Sequence, residues 1–393
     1  MERRPLRVLI AHNAYQRRGG EDSVVEAEIG LLRSHGHEVR LYQRHNDEIG
    51  ASGRLRTAGA AFWSRRTMRE MQAIGREFEP AVIHVHNTFP LLSPSVYWLA
   101  SRIGVPVVQT VHNFRLLCPQ AMLLRDGHVC EDCVGRVPWR AVLHRCYRGS
   151  LPGSAAAAGV LAAHRVLGTY QHKVTRYIAL SEFSRAKLIE GGLPERRVSV
   201  KPNFVDLPRP AAGERNGALY VGRLSPEKGV DVLGEALRAV PGVRLRVIGS
   251  GDAGAALRAA RNAELCGWRP QQAVYAEMRS ASYLILPSIC YESFPVVLVE
   301  ALACGLPVIA SRLGAMRELV EEGRTGLLFE PASASDLARK ISWAEQHPDL
   351  LRRMGQAARE AYEARYAPDT NYGQLMSVYE AAIAESRACA SVS

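Results

Sequence analysis

The stretch YESFPVVLVEALACGLPV, Tyr291 to Val308, decides how the rest of the chain is read. It follows a strand-like YLILPS and opens with SFP, in which Ser293 is a helix N-cap residue and Pro295 suits a first helical turn. A helix is therefore expected to begin at Ser293. Two carboxylates flank the start with seven residues between them, Glu292 in the loop and Glu300 inside the helix. The backbone amides of Phe294, Val296 and Val297, on either side of Pro295, head that helix, and a helix N-terminus attracts anions. A diphosphate seated there would leave one carboxylate for a polyol on either side, since a carboxylate accepts two hydroxyl hydrogen bonds at once. A capped core helix with one acid in its loop and one on its solvated face has the same local pattern, so the surroundings decide.

Those surroundings are an ordinary globular chain of 393 residues, 47% hydrophobic and 23% charged, for which two domains are expected. No run of eighteen apolar residues occurs, and the VLIA after the basic start is too short for a signal-peptide core, so a cytoplasmic protein is expected. The net charge of +11 is uneven: residues 1–203 hold 29 Lys and Arg against 17 Asp and Glu, whereas residues 204–393 hold 21 against 22. The basic half points to an anionic partner, a membrane surface at its inner face or a lipid-linked phosphate. No nucleic-acid-binding pattern is present, and no nucleic acid is expected.

In chain order, RVLIAH (Arg7 to His12) reads as a buried parallel strand. A loop, NAYQRRGGEDS, and a helix from about Ser23 to Arg33 follow, with Gly19 and Gly20 allowing close backbone approach at the helix start. HEVRLYQR, AVIHVHN and VPVVQTVH then alternate with helical patterns, which argues for a doubly wound parallel sheet. One of those patterns, Arg54 to Arg76, sets Phe62 and Trp63 beside Arg65, Arg66 and Arg69. It suits either an anionic membrane surface or a helix that packs its aromatics inward. His84, His86 and His112 fall near the C-terminal ends of strands, where open α/β sheets bind ligands, and His112 is the best placed.

Residues 113–150 interrupt the alternation with Cys118, Cys130, Cys133 and Cys146. In a cytosolic chain, clustered cysteines with a C-x-x-C knuckle suggest a structural zinc site, and reduced thiols are the alternative. Cys266, Cys290, Cys304 and Cys389 read as scattered core or surface residues. After RYIALS, a capped helix from Ser181, and RVSVKPN, the first domain ends near Asn203. A polar linker, VDLPRPAAGERNG, precedes a second alternation that restarts at ALYVGR.

GRLSPEKG, Gly222 to Gly229, follows the first strand of that second series, and Arg223 and Lys228 project from its strand-to-helix turn. Two cations and a helix N-terminus then meet in one place, supplying the positive charge that a departing diphosphate requires. GGEDS, TVHNFRLLCP, ALYVGRLSPEKGVDVL and ESFPVVLVEALACGLPVIAS followed by GLLF together resemble retaining glycosyltransferases of family 4 over nearly the whole chain. The cysteine insertion is similar to a subgroup from bacterial polysaccharide gene clusters.

The resemblance implies a GT-B fold: two facing Rossmann-like domains, 1–203 for the acceptor and 204–369 for the donor, with a central cleft and a C-terminal helix, 370–393, crossing back to the first. It implies donor diphosphate binding by Arg223 and Lys228 with amides of the Phe294 to Val297 turn, sugar hydroxyls on Glu292, and ribose on Glu300. Gly20 would lie against phosphate and acceptor, and His112 near the reacting sugar. It implies transfer of a hexose from a UDP- or GDP-type sugar to a saccharide or lipid-linked acceptor, with retention and no metal needed for chemistry. Two other readings remain: an epimerase or hydrolase of the same fold, or a membrane- or polyanion-binding protein with a degenerate site. Trp268 lines a base pocket or packs as a loop aromatic.

Overall fold

The computed structural model describes residues 4–16, 19–49, 53–210 and 213–390. Arg17 and Arg18, inside the glycine loop, and Ala211 and Ala212, inside the linker, lie outside them, as does the side chain of Cys389. The chain forms two compact bodies. One comprises the chain up to Ala121, Glu131–Pro202 and the chain from Asn371; the other comprises Met122–Cys130 and Asn203–Thr370.

The first body is built on strands β1 (Arg7–Ala14), β2 (Glu38–His45), β3 (Val82–Asn87), β4 (Val107–Val111), β5 (Arg176–Ala179) and β6 (Val198–Val200). They lie in the order β2-β1-β3-β4-β5-β6, every neighbouring pair parallel. β3 and β4 are buried at every residue, the mark of a sheet covered on both faces. Helix α1 (Gly20–Ser34) starts three residues before its expected Ser23 because Asp22 caps it: the Gly19 amide donates to Asp22 Oδ2 at 2.8 Å. The expected long helix at Arg54 to Arg76 is two, Arg54–Phe62 and Arg65–Phe78. The break is at Ser64, whose hydroxyl accepts from the Thr67 amide and caps the second. Trp63 packs against Trp98 with centroids 6.1 Å apart, and Arg66 pairs with Glu48 and Glu70.

The second body carries β7 (Ala218–Val221), β8 (Leu245–Ile248), β9 (Ala263–Gly267), β10 (Tyr283–Leu286), β11 (Val308–Ser311) and β12 (Gly326–Phe329), in the order β9-β8-β7-β10-β11-β12, again all parallel. One cluster of its core holds Tyr220, Leu233, Leu237, Ile285, Phe329 and Ile341, all almost wholly inaccessible.

In both sheets the strand order reverses once, between β1 and β3 and between β7 and β10. Connections leaving those two strands go to opposite faces, and a crevice opens at their C-terminal ends. In the second body the loop after β7 is pressed onto the exit of β10. Gly229 adopts φ +66°, and a Cβ there would overlap the Pro287 carbonyl oxygen. Gly229→Ala is expected to cost at least about 2 kcal/mol of stability, read as a lowered midpoint in urea at unchanged slope, because both the left-handed backbone and the close approach exclude a side chain.

Candidate active site

Strands β7 and β10 deliver the two stretches singled out above to one place. From β7 the chain runs through Arg223, a short 3₁₀ turn at Pro226–Lys228, and helix α2 (Val230–Ala239). From β10 it runs through Ser288 and Glu292 to helix α3 (Val296–Ala303). Lys228 Nζ donates to Glu292 Oε1 at 2.6 Å, and the Ser288 hydroxyl donates to the same oxygen at 2.8 Å. Burial acts to raise the Glu292 pKa, but the Lys228 charge, its hydrogen bond and that of Ser288 outweigh it and hold the carboxyl below its ordinary value. Burial likewise acts to lower Lys228, and Glu292 more than offsets it, so the ammonium is held above the usual lysine value. An ammonium has three donors, so Lys228 can take a phosphate oxygen without releasing Glu292. Arg223 is exposed and reaches Glu227 at 3.1 Å; Glu227 also accepts from Ser225.

Helix α3 begins at Val296 because Pro295, with extended ψ, serves as N-cap two residues beyond the expected cap Ser293. The amides of Val296 and Val297 therefore head the helix, while Ser293 and Phe294 belong to the approach loop, Phe294 buried against Tyr366. Glu300 lies one turn inside α3, 7% exposed, and accepts from Gln271 and from the Tyr275 hydroxyl at 3.2 Å. Burial pushes its pKa up to about 7, against the opposing pull of those two hydrogen bonds. Gln271 and Tyr275 sit four residues apart on the helix Gln271–Ser280, which bears no recognisable motif, and sequence reasoning missed both. Trp268 is 73% exposed in the loop after β9 and is not packed.

The remaining expected residues, Gly20 and His112, belong to the first body. Gly20 opens α1 at the reversal between β1 and β3, and His112 directly follows β4. Here the structure holds a buried polar network that the sequence hinted at only through His84 and His86. Glu28, from α1, is 1% exposed. Its Oε2 accepts from Lys201 Nζ at 3.1 Å, and its Oε1 lies 2.8 Å from His84 Nδ1 and 3.4 Å from His86 Nε2. Burial alone would raise the Glu28 pKa, but Lys201 first and then the two histidines hold it well below the carboxylate range. His86 Nδ1 meets His112 Nε2 at 2.9 Å, and burial drives His86 down to about 3 and His112 well below its usual value, so both rings are neutral at pH 7. Nearby, His12 bonds Asp22 at 2.8 Å. His12 Nδ1 and Glu21 Oε1, 4.0 Å apart, are buried without hydrogen-bond partners, and burial pushes Glu21 up to about 8.

Glu28, His84 and His86 are also the one group of three side chains, among the described residues, close enough together to ligate a metal. Lys201 already neutralises Glu28, and a dication there would leave two uncompensated buried charges. Among the described residues, no three of the thiols of Cys118, Cys130, Cys133 and Cys146 are gathered in that way. The insertion is held instead by Lys187 on Glu131 at 2.7 Å and by Arg165 on the carbonyls of Leu116 and Arg136.

Residues 18–209 match the family described as "Glycosyltransferase Family 4", and residues 208–361 match "Glycosyl transferases group 1". A D-inositol 3-phosphate glycosyltransferase from Streptomyces scabiei is 30% identical over 327 residues, covering 78% of this chain and 69% of that one. The chain belongs to glycosyltransferase family 4. A phosphatidyl-myo-inositol mannosyltransferase of Mycobacterium tuberculosis is 34% identical over 236 residues, 55% of this family 4 chain and 62% of that protein. Among solved structures, a sucrose-phosphate synthase from Thermosynechococcus elongatus superposes with a TM-score of 0.70 at 19% identity, covering 96% of this chain and 99% of that one. Anabaena HepE in complex with UDP-glucose superposes with 0.64 at 18% identity, covering 98% and 100%. The fold of this family 4 transferase is GT-B, as the resemblance implied. Among the described residues no helix is long and apolar enough to cross a membrane.

Removing Glu28 strands the Lys201 charge in the interior. Glu28→Gln is expected to cost about 3–5 kcal/mol at neutral pH. Because the folded pKa of Glu28 lies below its ordinary 4.5, its contribution is complete above about pH 4.5 and is lost as pH falls through the folded value. Denaturant titrations from pH 7 down to pH 3 should therefore show the gap between wild type and variant narrowing.

Proposed function

We propose that this glycosyltransferase moves a hexose from a nucleoside-diphosphate sugar, of UDP or GDP type, to a saccharide acceptor with retention of anomeric configuration. The acceptor is lipid-linked, and the product enters cell-surface polysaccharide at the inner face of the membrane. The observation that carries the reading is the Lys228–Glu292 pair at the β7/β10 reversal, with the α3 amides and Glu300 on the same helix start. Lys228, Arg223 and the Val296 and Val297 amides bind the diphosphate. Glu292, held ionised, accepts from sugar hydroxyls, and Glu300 accepts from the ribose. HepE in complex with UDP-glucose, a protein of the same fold, supports a nucleotide-sugar donor.

The acceptor hydroxyl attacks the anomeric carbon on the face from which the diphosphate leaves. The glycosidic C–O bond to phosphate breaks, the new C–O bond forms, and the departing phosphate oxygen takes the hydroxyl proton. Charge growing on the leaving oxygens meets fixed cations and amides, so no metal and no carboxylate nucleophile is needed. The acceptor belongs to the first body's reversal, where His12 Nδ1 and Glu21 Oε1 offer two buried polar atoms to a hydroxyl and His112 follows β4.

Lys228→Ala, Glu292→Ala and Arg223→Ala should each lower kcat/KM about 10²-fold or more while keeping the native fold, as read by circular dichroism. Full turnover in all three variants would remove the site assignment, and consumption of donor with no acceptor present would favour the epimerase or hydrolase.

Glu300 predicts a pH dependence. A carboxylate that accepts two ribose hydroxyls must be ionised, whereas burial beside Gln271 and Tyr275 holds it protonated up to about pH 7. Nucleotide affinity is expected to rise about tenfold per pH unit on approaching that value from below and to level off above it. Glu300→Gln should bind more weakly and lack the slope, as read by calorimetry between pH 5.5 and 8.5.

A further inference from the structure

Most large apolar side chains left in solvent lie in the first body, and the densest run of them is inside the cysteine insertion. Val137 is 68% exposed, Trp139 58% and Leu143 64%. Trp139 and Leu143 are four residues apart on the helix Trp139–Leu143 and so share one face of it. Beyond them Leu151 and Val166 are also exposed, at either end of the helix Leu151–Val166. The Arg165 guanidinium donates to the Arg136 carbonyl at 2.5 Å, which brings that helix end beside Val137.

The charge within this patch is positive. From Cys133 to Ser181 the chain contains no Asp or Glu and seven Lys and Arg. Arg136, Arg140, Arg145 and Arg148 are exposed within the patch. Only Arg140 has a carboxylate partner among the described residues, Asp132 at 3.2 Å. A solvated loop needs neither the tryptophan nor the leucine, and a surface built only for solubility would mix its charges. A second copy of the chain is disfavoured as the occupant, since a two-fold contact would lay arginines against arginines. An anionic bilayer satisfies both features: tryptophan and leucine sink to the headgroup boundary, and the arginines stay among the phosphates.

We propose that the Arg136 to Leu151 segment, led by Trp139 and Leu143, is the surface by which the protein docks on an anionic membrane. The sequence pattern left the Arg54 to Arg76 region open as either a membrane surface or a helix with its aromatics packed inward. That region turns Trp63 onto Trp98 and ties Arg66 to two glutamates, so it has less to offer a bilayer. The proposal deepens the membrane part of the functional reading above but needs no particular donor or acceptor, so the two fail separately.

The test is sedimentation of the full chain with vesicles of phosphatidylglycerol and phosphatidylcholine, against vesicles of phosphatidylcholine alone. Binding to the anionic vesicles is expected to fall at least tenfold between 0.1 M and 0.5 M salt. Each arginine near the surface contributes about a fivefold factor in binding, so Arg145→Glu with Arg148→Glu should lower binding more than tenfold. Trp139→Ser with Leu143→Ser should do the same at low salt. Brominated lipids should quench wild-type fluorescence and not that of Trp139→Phe. All variants should keep wild-type melting and nucleotide binding, since none of these residues lies in the donor site. Wild-type vesicle binding by both double variants, or no binding to anionic vesicles at low salt, would overturn the proposal. So would a dimer in sedimentation velocity that Trp139→Ser abolishes.

Discussion

The reversal of strand order is the constraint on which the rest depends. A parallel sheet needs a crossover after every strand, and right-handed crossovers cover opposite faces when the winding direction changes. At the change, two neighbouring strands send their chains apart and leave main-chain groups facing an opening that no local element fills. Both sheets change direction once. In the second, the opening receives the Arg223 to Lys228 turn and the approach to α3, and the close passage of Gly229 over Pro287 keeps the two loops in contact. In the first, it receives the glycine loop and α1, which bring Asp22 to His12 and Glu28 to Lys201.

Once the loops are placed, neighbours decide what each carboxyl does. Glu292 and Glu300 both lie near the start of α3, yet one is held ionised by Lys228 and the other is pushed up to about 7, for want of a cation. The first body repeats the contrast with Glu28 beside Lys201 and Glu21 beside Tyr15. Burial raises all four. A lysine within hydrogen-bonding distance lowers two of them, and a phenol or an amide is too weak to do so. An ionised carboxylate suits hydroxyl recognition in the resting protein, whereas one near neutrality registers the arrival of its ligand as a proton lost.

The insertion illustrates a different economy. Its short elements bury little of their own, and it is anchored to the first body by Lys187 and Arg165 through one carboxylate and several backbone carbonyls. Anchoring by cations from the body leaves the Arg136 to Leu151 stretch free of acids and able to keep Trp139 and Leu143 in the open.

Much was legible in advance. Alternating apolar runs and helical patterns gave two parallel-sheet bodies. A serine cap marked the start after Ser181, and GRLSPEKG and ESFP named three of the charged groups at the donor-side reversal. These are local signals, written in side chains that act on their own backbone or in glycines that the backbone requires. Where the sequence misled, a competing local bond won: Asp22 started α1 early, Ser64 split a helix, and extended Pro295 delayed α3. By itself, then, the sequence determined the fold class, the family and the identity of Arg223, Lys228, Glu292 and Glu300 as the residues to watch. Only the tertiary structure decided that Glu28 meets Lys201, that Gln271 and Tyr275 hold Glu300, and which aromatic faces water. Each of those pairings joins residues far apart in the chain, and nothing in the spacing of one partner specifies the position of the other.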